Sequence, residues 1–172
     1  DLLRAVRLLR RRFPELRLDV VGDNRTHPPL DLSSLLASLG LADSVRFSGF
    51  VSEMELAKRY AAADAAVFLS EYEGFGLPAL EAIRCGTLVL GAEADSLPEV
   101  IGTPETLFDP EDIAGLSALI ARALTDSGFR DSMQRAQMRH AARFSWATAA
   151  TVFSSRPRIK TSQTHTGRAA AP

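Results

Sequence analysis

A chain of 172 residues is the size of about one domain, long enough to bury a real core. Its 46% hydrophobic and 24% charged residues are ordinary for a soluble globular fold. A formal net charge of −1 gives no bulk electrostatic case for nucleic acid or an anionic membrane, and no apolar run of about 18 residues marks a transmembrane helix.

Along the chain, helical and strand patterns alternate, which predicts an α/β fold with a parallel sheet. Residues 2–13 read as a helix with Leu3, Val6, Leu9 and Phe13 on one face and arginines on the other, ended by Pro14. Residues 16–21 read as a strand that turns at Gly22-Asp23-Asn24. Pro28-Pro29 marks a loop, and Asp31 can cap a short helix ending before Gly40. Residues 45–47 are the next strand. Ser52 caps a helix over 53–63, and Glu55 at its third position completes a capping box. Residues 65–69 form a strand that runs into a glycine turn. Further elements are a helix opening at Pro78 and closing at Gly86, a short strand over 88–91 and a helical turn at 98–101. A strand near 106–108, a helix over 111–124 opened by Asp109-Pro110, and a helix over 128–143 follow. From Ser154 the chain becomes Ser, Thr, Pro and basic, with Arg156, Arg158, Lys160 and Arg168. Residues 151–172 are therefore expected to be a disordered tail behind a domain over 1–150.

The chemistry concentrates at Glu73-Gly74-Phe75-Gly76-Leu77-Pro78-Ala79-Leu80-Glu81. Pro78 suits the first helical position, because it has no N–H to leave unpaired. The backbone N–H groups of Phe75, Gly76 and Leu77 then face outward at the positive end of the helix dipole, which favours phosphate. Gly74 and Gly76 let backbone approach a ligand where a Cβ would block it. Glu81 can accept two hydrogen bonds from a vicinal diol such as ribose, and Glu73 can accept from sugar hydroxyls. Phosphate donors between two polyol acceptors describe a nucleotide-sugar site; the alternative is a plain loop-to-helix turn with a Glu that favours the macrodipole. Gly22 ends a strand where α/β folds bind ligands, or is a simple turn glycine.

Other site types lack their residues. Gly74-Phe75-Gly76 has no third glycine for a dinucleotide fingerprint and no Walker lysine follows. His27, His140 and His165 have no metal-ligand spacing, and no Asp-x-Asp motif occurs. Cys85, the single cysteine, reads as packing; it cannot form an internal disulfide, which agrees with a cytoplasmic location. The sequon Asn24-Arg25-Thr26 is then a chance match. No signal peptide opens the chain, but it starts at Asp1, so an upstream segment can precede it.

The ordered series of motifs resembles the C-terminal, donor-binding half of the family 4 glycosyltransferases of the GT-B fold (group 1 type). Glu73 and Glu81 match that family's E-x7-E signature. Phe47-Ser48-Gly49-Phe50-Val51-Ser52 is similar to its base-contacting strand and loop. Ala61-Ala62-Ala63-Asp64 and Val67-Phe68-Leu69 are similar to the lead into the signature. Cys85-Gly86-Thr87, Leu97-Pro98-Glu99-Val100 and Phe144-Ser145-Trp146 extend the match over about residues 1–150. The resemblance implies a Rossmann-like parallel sheet flanked by helices, forming the C-terminal half of a GT-B fold without its first strand. In the family, that strand and its loop carry an Arg and a Lys that grip the diphosphate. It also implies a retaining transfer of a hexosyl-type sugar from a UDP- or GDP-linked donor, with no metal and no other cofactor.

Glu73 would hold donor-sugar hydroxyls at the catalytic centre, and Glu81 the ribose. Gly74, Phe75, Gly76, Leu77 and Gly22 would line the donor, and Val51 would meet the base through its backbone. Glu99 reads as structural. The acceptor (glycan, lipid or small molecule) would belong to an N-terminal domain, so this chain alone is expected to be inactive; nucleic acid is not expected as a partner, and membrane contact only peripherally. The alternative is a non-catalytic nucleotide-sugar-binding remnant. Two departures stand out. Asp95 takes a position where the family usually has glycine, and its carboxylate would repel a diphosphate unless it points away. Leu88 stands where proline is common.

Overall fold

The structure is a computed structural model that describes residues 1–22, 31–70 and 74–144. Asp1–Ala142 forms one compact unit and Arg143–Pro172 a second, of which only Arg143 and Phe144 are described. The expected tail and most of the Phe144-Ser145-Trp146 motif therefore lie outside the described residues.

The elements alternate as the sequence pattern requires. In order they are α1 (Leu2–Arg10), β1 (Leu18–Val20), α2 (Leu32–Leu39), β2 (Val45–Phe47), α3 (Glu53–Ala62), β3 (Ala66–Phe68), α4 (Leu77–Arg84), β4 (Val89–Ala92) and α5 (Leu97–Ile101). A 3₁₀ turn at Pro104–Thr106 leads into β5 (Leu107–Phe108), α6 (Ile113–Thr125) and α7 (Ser127–Ala141). Every pairing is parallel, which needs a crossover between strands and accounts for the intervening helices. The chain is an α/β domain of the Rossmann-like kind.

Among the described residues the strands form two groups, β1-β2 and β3-β4-β5, with no ladder between β1 and β3. One parallel strand between those two edges would give the order 3-2-1-4-5-6 of a doubly wound sheet. Burial follows the same division. All four residues of β4 are buried, flanked as they are by β3 and β5, while β3 is half-buried. On the β1-β2 side, Val6, Leu36, Leu41 and Val45 form a core that gathers Leu2, Leu3, Leu16, Leu18, Val20 and Leu39. Each such side chain removed from water contributes about 1.5–3 kcal/mol.

Local chemistry sets the helix ends. Asp31 caps α2 by accepting from the Ser33 and Ser34 amides at 3.0 and 3.2 Å. The two serine hydroxyls also donate to it, and together these hydrogen bonds pull its carboxyl down to about 2. Ser52 accepts from the Glu55 amide at 3.3 Å, but only that half of the expected capping box forms. The Glu55 carboxylate turns to Arg59 Nε at 3.0 Å, because an i, i+4 cation competes for it. The helices expected from Glu111 and Gly128 begin instead at Ile113 and Ser127, capped by Asp112 and Asp126. Pro78 takes the second helical position rather than the first, since α4 opens at Leu77 behind Gly76.

One buried side chain completes the sheet. β5 pairs with β4 only from Gly91 onward, so the Val89 backbone has no strand neighbour on that side. Gln137 of α7, fully buried, supplies it. Its amide oxygen accepts from Val89 N–H at 2.9 Å, and its amide nitrogen donates to Val89 C=O at 2.8 Å and to the Thr103 and Thr106 hydroxyls. A primary amide presents the same donor and acceptor pair as a strand. Gln137→Leu keeps the size but strands both backbone groups. It is expected to destabilise the chain by about 2–4 kcal/mol, read as a lower denaturant midpoint; an unchanged midpoint would contradict the role.

Candidate functional site

The glycine turn sits at the C-terminal end of β3, the edge at which open α/β sheets take ligands. Gly76 is the N-cap of α4, with φ +77 and ψ 36. That left-handed conformation is where glycine has no Cβ to clash. Its carbonyl accepts from the Ala79 and Leu80 amides at 3.1 and 3.2 Å, and Pro78 has no N–H. Among the described residues no hydrogen bond takes up the amides of Gly76 and Leu77. The helix therefore offers two backbone donors at its positive end, where an anion is stabilised. The rings and chains beside them are open to solvent: Phe75 and Leu77 are 43% and 48% exposed.

The β4–α5 turn packs against this loop. A Cβ placed on Gly76 would lie 3.4 Å from Leu97 Cδ2, 3.7 Å from Val100 Cγ2 and 3.8 Å from Ser96 Oγ. Gly74 differs: nothing among the described residues lies within 4 Å of a Cβ there. No packing against the described residues calls for glycine at Gly74.

Glu81 lies one turn into α4, exposed, with no hydrogen bond or ion pair among the described residues. Rising 1.5 Å per residue, it stands about 7 Å along the helix axis from Gly76. Tyr60 of α3 neighbours it. Burial first, and then the negative charges of Glu81 and Cys85, push the Tyr60 phenol up from its ordinary value. Just past α4, the Thr87 hydroxyl donates to the Tyr60 carbonyl at 2.6 Å and ties the end of α3 to the lead into β4. Sequence reasoning did not select Tyr60; an aromatic in an alanine-rich helix carries no signal of its neighbours. Cys85 is half-buried at the end of α4, and the following Gly86 turns the chain with φ +82.

Gly22 and Val51 belong to a second loop group, at the C-terminal edge of β1-β2. The Gly22 amide donates to the Gly49 carbonyl at 3.0 Å, and Ser48 N–H donates to Val20 C=O at 2.9 Å. Val51 follows two residues later, half-buried beside Phe50, which is 84% exposed. Asp19 anchors the group: it accepts from Ser48 Oγ at 2.7 Å and pairs with Arg59 Nη1 at 2.7 Å, tying β1 to α3. Gly22 thus joins the 47–52 loop, and Gly74 to Leu77 join Glu81 on α4. Glu73, the first glutamate of the signature, lies outside the described residues.

Glu99 is exposed, and its backbone carbonyl, not its carboxylate, meets His140 Nε2 at 2.7 Å. Leu88 is wholly buried before β4. Among the described residues no group of three His, Cys, Asp or Glu could hold a metal ion, and no helix is long and apolar enough to cross a membrane.

Fold and loop together define a Rossmann-like α/β domain with an anion-ready helix start at its strand ends. Residues 1–143 match the model of the group 1 glycosyl transferases, and the chain belongs to that family. It is 41% identical over 117 residues to the serotype-specific mannosyltransferase WbdA of Escherichia coli, covering 67% of this chain and 14% of that protein. It is 36% identical over 159 residues to the D-inositol 3-phosphate glycosyltransferase of Thermobispora bispora, covering 87% of this chain and 37% of that one. The chain thus spans well under half the length of these relatives. Among solved structures, the sucrose-phosphate synthase of Thermosynechococcus elongatus superposes with a TM-score of 0.75 at 27% identity, over 88% of this chain and 40% of that one.

The two glycines of the turn should separate by variant. Gly76→Ala is expected to cost about 1–2 kcal/mol, because a Cβ is disfavoured in the left-handed region and Leu97 must also give way. Gly74→Ala should leave thermal stability unchanged. Equal losses for both would contradict the assigned geometry.

Proposed function

We propose that this chain is the donor-binding part of a retaining glycosyltransferase that moves a sugar from a UDP- or GDP-linked donor to an acceptor. The observation that carries the reading is the pair of amides at Gly76 and Leu77, one helical turn from the Glu81 carboxylate, none of them taken up by a hydrogen bond among the described residues, in a chain of the group 1 glycosyl transferase family. A diphosphate matches the amides and a ribose diol matches the carboxylate. Glu73 would hold the sugar hydroxyls at the catalytic centre, Gly74 and Phe75 would border the sugar, and Gly22 and Val51 would border the nucleoside. The names of the mannosyl- and glycosyltransferase relatives support a hexosyl donor.

In such a transfer the C1–O bond breaks, and charge grows on the leaving phosphate and on the sugar ring. Backbone donors fixed at the leaving oxygen stabilise that charge without reorganising, which is the main catalytic lever available in this half. No protein side chain of this chain is assigned as a base; the leaving phosphate can take the acceptor proton on the same face. The reaction as proposed uses no metal. The acceptor, a glycan, lipid or small molecule, would be held by a further domain of the whole protein, in the cytoplasm.

Calorimetric titration with UDP- and GDP-sugars tests the reading. One donor class should bind weakly, and Glu81→Ala should weaken it by about 1.5–3 kcal/mol, the loss of a hydrogen bond to a charged group. Equal affinity in variant and parent would remove Glu81 from the site. The same chain should show no sugar transfer by itself, and measurable turnover would contradict the division of labour.

A further inference from the structure

α5 has five residues, and a helix that short takes its stability from packing. Its last carbonyls have no partner within the helix. One of them, at Glu99, meets Nε2 of His140 at 2.7 Å. A carbonyl only accepts, so Nε2 carries the proton and donates it. The same imidazole lies against Gly102, the left-handed residue that ends α5 with φ +67; a Cβ there would overlap the ring. One turn earlier on α7, Gln137 donates to the Thr103 and Thr106 hydroxyls at 3.0 and 3.1 Å. α7 thus grips residues 99–106 at both ends, and His140 is the grip on α5. The other side of α5 meets the glycine turn. Val100 directly follows Glu99, and its Cγ2 lies 3.7 Å from a Cβ built on Gly76; Leu97 Cδ2 lies 3.4 Å from it. Both side chains are buried. The carbonyl that His140 holds and the side chain that seats Gly76 are therefore one residue apart.

We propose that His140 is a positioning residue for the donor: it holds α5 by the Glu99 carbonyl, and α5 holds Gly76, so that the amides of Gly76 and Leu77 stay aimed at the donor phosphate. The inference rests on the reading that the diphosphate sits at the start of α4. The histidine acts through Glu99, Val100 and Gly76 and needs no contact with the ligand. Backbone donors bind a phosphate well only when they are fixed before it arrives, since ordering them on binding costs affinity. Without the Nε2 donor, the end of α5 loses its hydrogen bond and the seat of Gly76 loosens with it. Contacts of this kind, remote from a ligand, change its affinity by about two- to tenfold.

The test joins calorimetric titration with UDP-glucose and GDP-mannose to amide NMR of the free chain. It compares the parent with His140→Gln, His140→Asn, His140→Phe and Val6→Ala, at a temperature where each is folded. Gln carries an amide N–H about as far from the backbone as Nε2; Asn is too short to reach, and Phe keeps a flat ring with no donor. Val6→Ala lowers stability by opening a cavity in the β1-β2 core. The expected result is that Asn and Phe bind the donor about two- to tenfold more weakly and shift the Gly76 and Leu77 amides. Gln should restore both readings, and Val6→Ala should move neither. Parent-like affinity and amide shifts in Asn and Phe overturn the proposal. So does a loss in Gln as large as in Asn, which removes the hydrogen bond as the cause. An equal loss in Val6→Ala also overturns it, because affinity then follows overall stability. If the Phe chain does not fold, Asn against Gln decides. If the parent binds neither donor, the donor-site reading itself fails, while the free-chain shifts of Gly76 and Leu77 still decide whether His140 sets them.

Discussion

Close approach at glycine is the constraint on which the site's shape depends. The five-residue helix α5 is wedged against two of them, and a third ends it. A Cβ on Gly91 would overlap Ile101, a Cβ on Gly76 would press on Leu97 and Val100, and a Cβ on Gly102, just past the helix, would overlap the His140 ring. Leu97, Val100 and Ile101 are buried as a result. α5 therefore touches β4, α4 and α7 together, and His140 fastens its end through the Glu99 carbonyl. So short a helix has little stability of its own and takes it from packing. The loop that holds Gly76 and Leu77 in place is in turn seated on α5.

That arrangement links sheet to chemistry. β4 is buried on all its residues and squared off by Gln137, which makes a firm base for the strand ends on its two sides. The β3–α4 turn then leaves backbone amides pointing where no other part of the described chain takes them up. A helix start is worth little as a site in isolation. Here it belongs to a family whose members are transferases, and it is followed by the Glu81 carboxylate, which no hydrogen bond or ion pair among the described residues takes up.

Much of the architecture was legible in the residues. Ser52, Asp31 and Gly40 marked helix ends that formed where they stand, because caps act over three or four residues and need nothing distant. The errors have the same locality. Asp109-Pro110 looked like a helix start, but Asp112 offered a cap nearer the apolar face. Pro78 fell one position late because the left-handed Gly76 already served as the N-cap. What could not be read was long-range: Gln137 standing in for a strand, Tyr60 beside Glu81, and the seat of α5 under Gly76. The left-handed turn at Asp95 explains why glycine is usual there, which the motif alone left as a departure. Glu73 cannot be set beside Glu81, as it lies outside the described residues.

The central claim is that a nucleotide sugar lies on the amides at the start of α4, between Glu81 and the β4–α5 turn. Amide chemical-shift mapping of the isotopically labelled chain, titrated with UDP- and GDP-sugars, reads those groups directly. The account predicts one donor class that shifts the amides of Gly76 and Leu77 most, with smaller shifts at Gly22, Gly49 and Val51. Saturable shifts centred elsewhere, or none at Gly76 and Leu77 with a ligand that binds, would contradict it.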